Sequence, residues 1–265
     1  MKFLATGPEV HTREIRGGAM LYDASRAGNA MEGWLDVDWW RERGHVEAAG
    51  EGRGSAWRVE ADGRRMILRH YRRGGLIGRF NRDRYAWRGA DATRCYREWR
   101  LLYQLMRAGM PVPTPLAAGY RRQGGSYTAD LLTACIPAVT SLAQLIRQQP
   151  VPLDTWARIG RWLRRFHMRG VFHADLNAHN VLLDPAGMVW LIDFDRGGLR
   201  VPGWWCDANL VRLRRSLEKL TERLPATHFQ ASDWSVLLDA YISAGAEAPA
   251  PSLAPASGPT SGEAA

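Results

Sequence analysis

Asp175, Asn180 and Asp193 are the residues of this chain whose types and spacing suit a defined reaction. They lie in His173-Ala174-Asp175-Leu176-Asn177-Ala178-His179-Asn180 and in Trp190-Leu191-Ile192-Asp193-Phe194-Asp195-Arg196. Four residues separate Asp175 from Asn180, and twelve separate Asn180 from Asp193. Phosphoryl transfer from ATP needs an in-line hydroxyl, metal ions on the phosphates and positive charge around the moving group. Asp175 is the candidate base for the acceptor's hydroxyl proton, a role worth about 10²–10⁴-fold. Asn180 and Asp193 offer hard oxygen donors that suit Mg²⁺. Each of these residues alone would read as a turn residue. Their combination points to chemistry.

The surrounding elements must bring the three together. The apolar runs Val181-Leu182-Leu183 and Val189-Trp190-Leu191-Ile192 read as short buried strands, joined at the turn sequence Asp184-Pro185-Ala186-Gly187. Such a hairpin returns Asp193 to the side of Asn180. The whole pattern, H-x-D-x-x-x-x-N followed by D-F, is the layout of a protein-kinase-like loop.

Upstream, Ala56-Trp57-Arg58-Val59-Glu60 alternates like a strand, Asp62-Gly63 signals a hairpin turn, and Arg64 to Tyr71 follows as a second strand. Gly50-Glu51-Gly52-Arg53-Gly54-Ser55 precedes them. Gly52 and Gly54 are candidates to lay backbone N–H groups over nucleotide phosphates. Kinases of this layout place a lysine on a strand here, paired with a helix glutamate. This chain has no lysine between Lys2 and Lys219. Arg69 stands at that place, and its permanently charged fork can bind phosphate oxygens. Ile67 shares its face of the strand. Thr93 to Ala108 reads as a helix with Trp99, Leu102, Leu105 and Met106 on one face, ending at Gly109. Glu98 is its only carboxylate and the expected partner of Arg69.

The remaining chain frames these elements. Asp36 to Arg43 suggests a helical turn, and residues 1 to about 33 show no clear periodicity. Tyr127 to Cys135 reads as a strand, and Ser141 as a helix cap. Pro152-Leu153-Asp154 opens a helix carrying Trp156, Ile159, Leu163 and Phe166, with Gly170 as its stop. Ala208 to Arg223 and Ser232 to Ala244 are further helices, the first with a Leu210, Leu213, Leu217 and Leu220 stripe. From Gly245 onward the Ala, Pro, Ser and Gly composition predicts disorder. The expected architecture is α+β and two-lobed: an N-terminal segment at 1–33, an N-lobe of antiparallel sheet plus helix at 34–136, a mainly helical C-lobe at 137–244, and a tail at 245–265. An ATP cleft would lie between the lobes.

The chain has 265 residues and a formal charge of +9, almost all of the positive charge being arginine. That excess suits anionic partners: phosphates, an acidic membrane surface or nucleic acid. No nucleic-acid motif accompanies it, so nucleic acid is not expected. No apolar run is long enough to span a bilayer, and no secretory leader is visible. Cys95, Cys135 and Cys206 are odd in number and far apart, which fits a reducing compartment and no metal site.

A peptide acceptor is disfavoured. Ala174 and Asn177 replace the arginine and lysine of protein-kinase loops, and only about a dozen residues follow Asp195 before the next helix, with no A-P-E signal. The strings Gly52-Arg53-Gly54, Leu68-Arg69-His70-Tyr71-Arg72-Arg73-Gly74-Gly75-Leu76, Leu131-Leu132-Thr133 and His173 to Asn180 resemble the 3-deoxy-D-manno-octulosonic acid (Kdo) kinases of Gram-negative lipopolysaccharide synthesis. The resemblance covers roughly residues 34 to 242, and it includes the strand arginine. It implies transfer of the ATP γ-phosphate, with Mg²⁺, to the 4-hydroxyl of Kdo on Kdo-lipid A precursor (Kdo-lipid IVA). It also implies a peripheral protein at the cytoplasmic face of the inner membrane. The basic segment Arg72, Arg73, Arg79, Arg82 and Arg84 is a candidate contact with the lipid head or membrane. An aminoglycoside-type phosphotransferase is the alternative; it would need an acidic acceptor pocket, which +9 argues against. His173 is expected to order the loop, His179 to pack in preference to touching the substrate, Asp195 to pair with an arginine such as Arg196, and Trp204 and Trp205 to join the core in preference to stacking on sugar.

Overall fold

The structure, a computed structural model, describes residues 7, 9–28, 30–44, 46–49, 56–72, 83–224 and 226–245. Its centre is an eight-stranded antiparallel sheet. Strands β4 (Ala56–Ala61) and β5 (Arg64–His70) turn at Asp62-Gly63, where both residues have positive φ, 51° and 71°. Such a turn matches the twist of the strands it joins. β5 pairs with β8 (Ser126–Ala134), which pairs with β7 (Pro115–Gln123) and with the short β6 (Tyr85–Ala86). β3 (Val46–Ala48) closes one edge beside β4.

The other edge holds β1 (Val10–Ile15) and β2 (Gly18–Asp23), with β2 against β7. The sheet therefore begins at Val10, inside the stretch 1–33 that the sequence set apart. β2 is buried on both faces along nearly its whole length, so its residues do not alternate, and period-2 reasoning has nothing to detect there.

Each face of the sheet has its own core. Met66, Leu68 and Leu132 pack with Trp34, Leu35, Trp40 and Trp57. Here α1 (Ala24–Ala27), a 3₁₀ turn at Glu32–Leu35 and α2 (Val37–Arg41) cover the sheet; Asp36 caps α2. Ala129 and Leu131 face the other way, onto α3 (Arg94–Arg107) with Trp99, Leu102 and Leu105. Ile67 and Arg69 share a face of β5 and are half-buried. Arg69 thus leaves the sheet toward α3.

The second core runs on without a break into the helical part. It joins α4 (Leu142–Gln148), capped by Ser141, α5 (Leu153–Met168), α6 (Trp205–Arg223) and α7 (Ala231–Ser243). That makes seven α-helices among the described residues. α5 and α7 touch closely at Gly160, where an added Cβ would sit 2.1 Å from the Leu237 carbonyl oxygen. After α5, β10 (Val171–Phe172) leads into the loop bearing Asp175. β11 (Val181–Leu183) and β12 (Val189–Leu191) form the expected hairpin, with β9 (Thr140–Ser141) along β11. β13 (Gly198–Leu199) returns to pair with β10.

Candidate active site

Arg69 is the hinge of the site. It projects from β5, and its two terminal nitrogens divide between two carboxylates, Glu98 on α3 and Asp193 beyond β12. The planar fork gives each acid its own donor nitrogen. Glu98 is 4% exposed and is held on all sides. Tyr71 donates its hydroxyl to Glu98 Oε2 at 2.7 Å, and the Phe194 amide donates to Oε1 at 3.1 Å. The Tyr71 ring lies under the guanidinium, 4.6 Å from Cζ to centroid. Burial pushes the Glu98 carboxyl up, to about 7, against the pull of Arg69. Burial also opposes charge on Asp193, but there the Arg69 guanidinium prevails and holds the carboxyl below its ordinary value.

The hairpin supplies Asp193. The Ile192 amide donates to the Asn180 carbonyl at 3.1 Å, which sets Asp193 next to the end of the loop. Asp193 has φ 61° and Arg196 φ 60°, left-handed backbone that reverses the chain here. Asp accepts that conformation better than a branched residue does. Asp195 is gripped by Arg94, whose Nε donates to Oδ1 at 2.7 Å and whose Nη2 donates to Oδ2. The expectation of an arginine partner holds, but the arginine is Arg94 of α3, which grips with two nitrogens, and not Arg196.

The loop between β10 and β11 is tied at every turn. The His173 Nε2–H donates to the Ile192 carbonyl at 2.8 Å, and Nδ1 accepts the Asp175 amide at 3.2 Å. Both ring nitrogens are thereby used by a neutral imidazole, and burial keeps its pKa low. Asn209 of α6 bonds the same residue's backbone, donating to the His173 carbonyl at 3.0 Å and accepting its amide at 3.4 Å. Asn177 donates to Asp175 Oδ2 at 3.1 Å, so it orients the carboxylate. Asn180 Nδ2 donates to the Asp175 carbonyl at 2.9 Å. Its Oδ1 then has no hydrogen bond among the described residues.

That free amide oxygen and the Asp193 carboxylate are the oxygen pair available to a divalent cation. No group of three or more His, Cys, Asp or Glu suited to a metal occurs among the described residues. A two-donor set fits Mg²⁺, which keeps waters and takes its remaining ligands from substrate phosphates. Arg69 and Glu98 sit beside it. Gly52 and Gly54 lie outside the described residues; the flanking strands β3 and β4 pair with each other across that segment.

Two expectations are corrected by exposure. His179 does not pack but stands exposed, its amide bonded to Asn177 Oδ1 at 2.9 Å. Trp205 joins the core as expected, whereas Trp204 is 78% exposed, because only Trp205 has turned inward at the start of α6. Asn209 and Ser216 were missed. Ser216 Oγ accepts the Ala178 amide at 3.2 Å and docks α6 onto the loop. A polar residue beside the Leu210 stripe was the available signal for Asn209; Ser216 left none. Of the basic segment, Arg72 and Arg84 lie among the described residues, and Arg73, Arg79 and Arg82 do not. Residues 246–265 of the expected tail are likewise outside them.

Asp175, Asn177 and His179 border a cleft of about 630 Å³ whose far wall is α6. No helix among the described residues is long and apolar enough to cross a membrane.

Comparison with known proteins places this geometry in a family. Residues 37–241 match the lipopolysaccharide kinase (Kdo/WaaP) family. A 3-deoxy-D-manno-octulosonic acid kinase of Xylella fastidiosa (strain M12) is 52% identical over 206 residues, 77% of this chain and 82% of the relative. Proteins of the same name from Xanthomonas campestris pv. campestris (strain B100) and Stenotrophomonas maltophilia (strain K279a) are 46% identical over 224 residues and 44% over 233. These cover 83% and 86% of this chain, and 88% and 92% of the relatives. The family match takes in strands β3 to β8 of the sheet, the Arg69 fork and the loop of Asp175, and the chain belongs to the lipopolysaccharide kinase (Kdo/WaaP) family.

Proposed function

We propose that this protein is a Kdo kinase, transferring the γ-phosphoryl group of ATP to the 4-hydroxyl of Kdo on a lipid-linked acceptor, Kdo-lipid A precursor (Kdo-lipid IVA). The observation that carries this reading is the ion-paired set of Arg69, Glu98 and Asp193, next to an Asp175 carboxylate held by Asn177. The relatives' names supply the acceptor sugar.

Each residue then has a task. Asp175 takes the hydroxyl proton as the acceptor oxygen bonds to the γ-phosphorus and ADP departs. Asn177 keeps its carboxylate aimed, and His173 and Asn209 fix the backbone beneath it. Arg69, fixed by Glu98, meets the α- and β-phosphates. Asn180 and Asp193 would hold Mg²⁺, which neutralises phosphate charge when bound. Gly52 and Gly54 are assigned to the phosphates from sequence. The sheet with α3 corresponds to an N-lobe, and the helices α4 to α7 to a C-lobe, with the nucleotide between.

The acceptor is part of a membrane lipid, so the protein works as a peripheral protein at the cytoplasmic face of the inner membrane. Arginine-rich surface favours that setting, at about 1 kcal/mol for each cation near an anionic leaflet. A cationic aminoglycoside is a poor alternative for a chain of charge +9.

The test is ³²P transfer from γ-labelled ATP to Kdo-lipid A precursor with Mg²⁺, with wild type beside Asp175→Ala. Label in the Kdo moiety that disappears in the variant is the expected result. No transfer by a wild type that still binds ATP would overturn the acceptor assignment.

A further inference from the structure

The cleft beside Asp175 has a wall that the phosphoryl-transfer residues do not explain. Arg212, Arg215, Lys219 and Arg223 of α6 line it together with Ser216. Their spacing keeps them on one side of a helix. From Arg212 to Arg223 the stripe runs about 16 Å at 1.5 Å per residue. All four are exposed, and none is ion-paired with a carboxylate among the described residues. The contrast on the same helix is Arg214, which pairs with Glu218 at 2.8 Å. Unpaired like charges along one stripe repel each other, an arrangement that costs stability unless an anion comes to it.

The stripe is fixed to the reaction centre. Ser216, in its middle, accepts the Ala178 amide, three residues after Asp175. Arg212 is close enough to oppose protonation of His173. Arg69, Glu98 and Asp193 do not line this cleft, so the stripe is not part of the nucleotide's ion-pair set. It approaches Asp175 from another side.

We infer that Arg212, Arg215, Lys219 and Arg223 form the anion subsite of the acceptor, binding carboxylate and phosphate groups of the lipid-linked sugar while its hydroxyl faces Asp175. This rests on the kinase reading above and adds the groups that hold the acceptor. A stripe of this length suits several separated anionic groups on one molecule, not one phosphate. Half-exposed Val211 in the same wall offers apolar surface to sugar C–H faces.

The experiment compares wild type, Arg212→Ala/Arg215→Ala, Lys219→Ala/Arg223→Ala and a control, Arg214→Ala. Equilibrium binding and phosphorylation of Kdo-lipid A precursor are read in neutral detergent micelles and again in phosphatidylglycerol vesicles, with the Kd for ATP alongside. Each double variant should raise the acceptor Kd and KM by about tenfold or more in micelles. ATP affinity should not move, and Arg214→Ala should match wild type. Wild-type acceptor Kd and KM in both double variants would overturn the subsite while leaving the kinase reading intact. A loss seen only on the anionic vesicles would assign the cations to the bilayer surface and also overturn it. A wild type that binds acceptor through these cations without phosphorylating it would keep the subsite and sink the kinase reading. A wild type that neither binds nor phosphorylates it would overturn both.

Discussion

Tyr71 and Glu98 share a hydrogen bond of 2.7 Å at the carboxylate oxygen that also receives Arg69. One oxygen thus fixes both the cation and the aromatic ring beneath it. Tyr71→Phe keeps the ring and removes the donor. It should lower stability by about 1–2 kcal/mol, read from the urea midpoint. Since Arg69 still satisfies the oxygen, kcat/KM for ATP should fall less than about tenfold. A loss as large as that of an Arg69 variant would contradict this division of roles.

Arg69→Lys retains the charge and loses the fork. An ammonium has three donors but on one nitrogen, without the two separated nitrogens that reach Asp193 and Glu98 here, so one charge-assisted contact should be forfeited. That is about 2 kcal/mol, or roughly thirtyfold in kcat/KM for ATP. Steady-state kinetics with ATP varied would decide it; an unaltered constant would show that charge alone suffices.

Asn177→Ala frees the Asp175 carboxylate to rotate. The expected outcome is a drop in kcat of about tenfold with the KM for ATP unchanged, because the donor acts on the base and not on the nucleotide. Equal loss in Asn177→Asp would agree, since a second carboxylate would repel Asp175. Restored activity in that variant would argue against an orienting role.

Gly160 is where α5 and α7 come closest. Gly160→Ala places its Cβ 2.1 Å from the Leu237 oxygen and 3.0 Å from the Tyr241 nitrogen, both backbone atoms that cannot swing aside. The helices must separate, at a cost of about 1–3 kcal/mol. Thermal unfolding measures it. An unchanged Tm would mean that the two helices slide without penalty.

His167 is buried between α5 and α7, 2.8 Å from the Tyr241 hydroxyl. Burial drives its pKa down from 6.5 to about 4; Asn209 pulls the other way, and Arg164 and His173 add to the drop. Between those values the unfolded chain binds the proton that the folded protein refuses. The His167 contribution is therefore complete above pH 6.5 and is lost as the pH falls toward 4. His173 shifts in the same direction. Unfolding free energy should fall by about 2 kcal/mol from pH 6.5 to 5 through His167 alone. His167→Gln, which keeps a hydrogen-bonding group without titrating, should flatten that slope.

The sequence by itself pointed to a kinase and determined the local elements that hold the candidate site. Asp175, Asn180 and Asp193 are separated by a loop and a two-stranded hairpin, and local rules suffice for both: turn residues at Asp184-Pro185-Ala186-Gly187 and short apolar runs on either side. The strand of Arg69 and the helix of Glu98 were equally legible, because each buries one face and so has a period. The pairing of Arg69 with Glu98 was foreseeable for a plainer reason: α3 offers no other acid.

Only the tertiary structure decided what those residues meet. Asp193 as the second acid on Arg69, Arg94 as the partner of Asp195, and Asn209 and Ser216 as the supports of the loop all join positions distant in sequence. No periodicity encodes such contacts; they exist because the sheet and the helices share one continuous core. The same holds for β2, whose burial on both faces erases the alternation that would have revealed it. It holds too for the cations of α6, which read as a solvated helix face until the fold sets them along the cleft of Asp175.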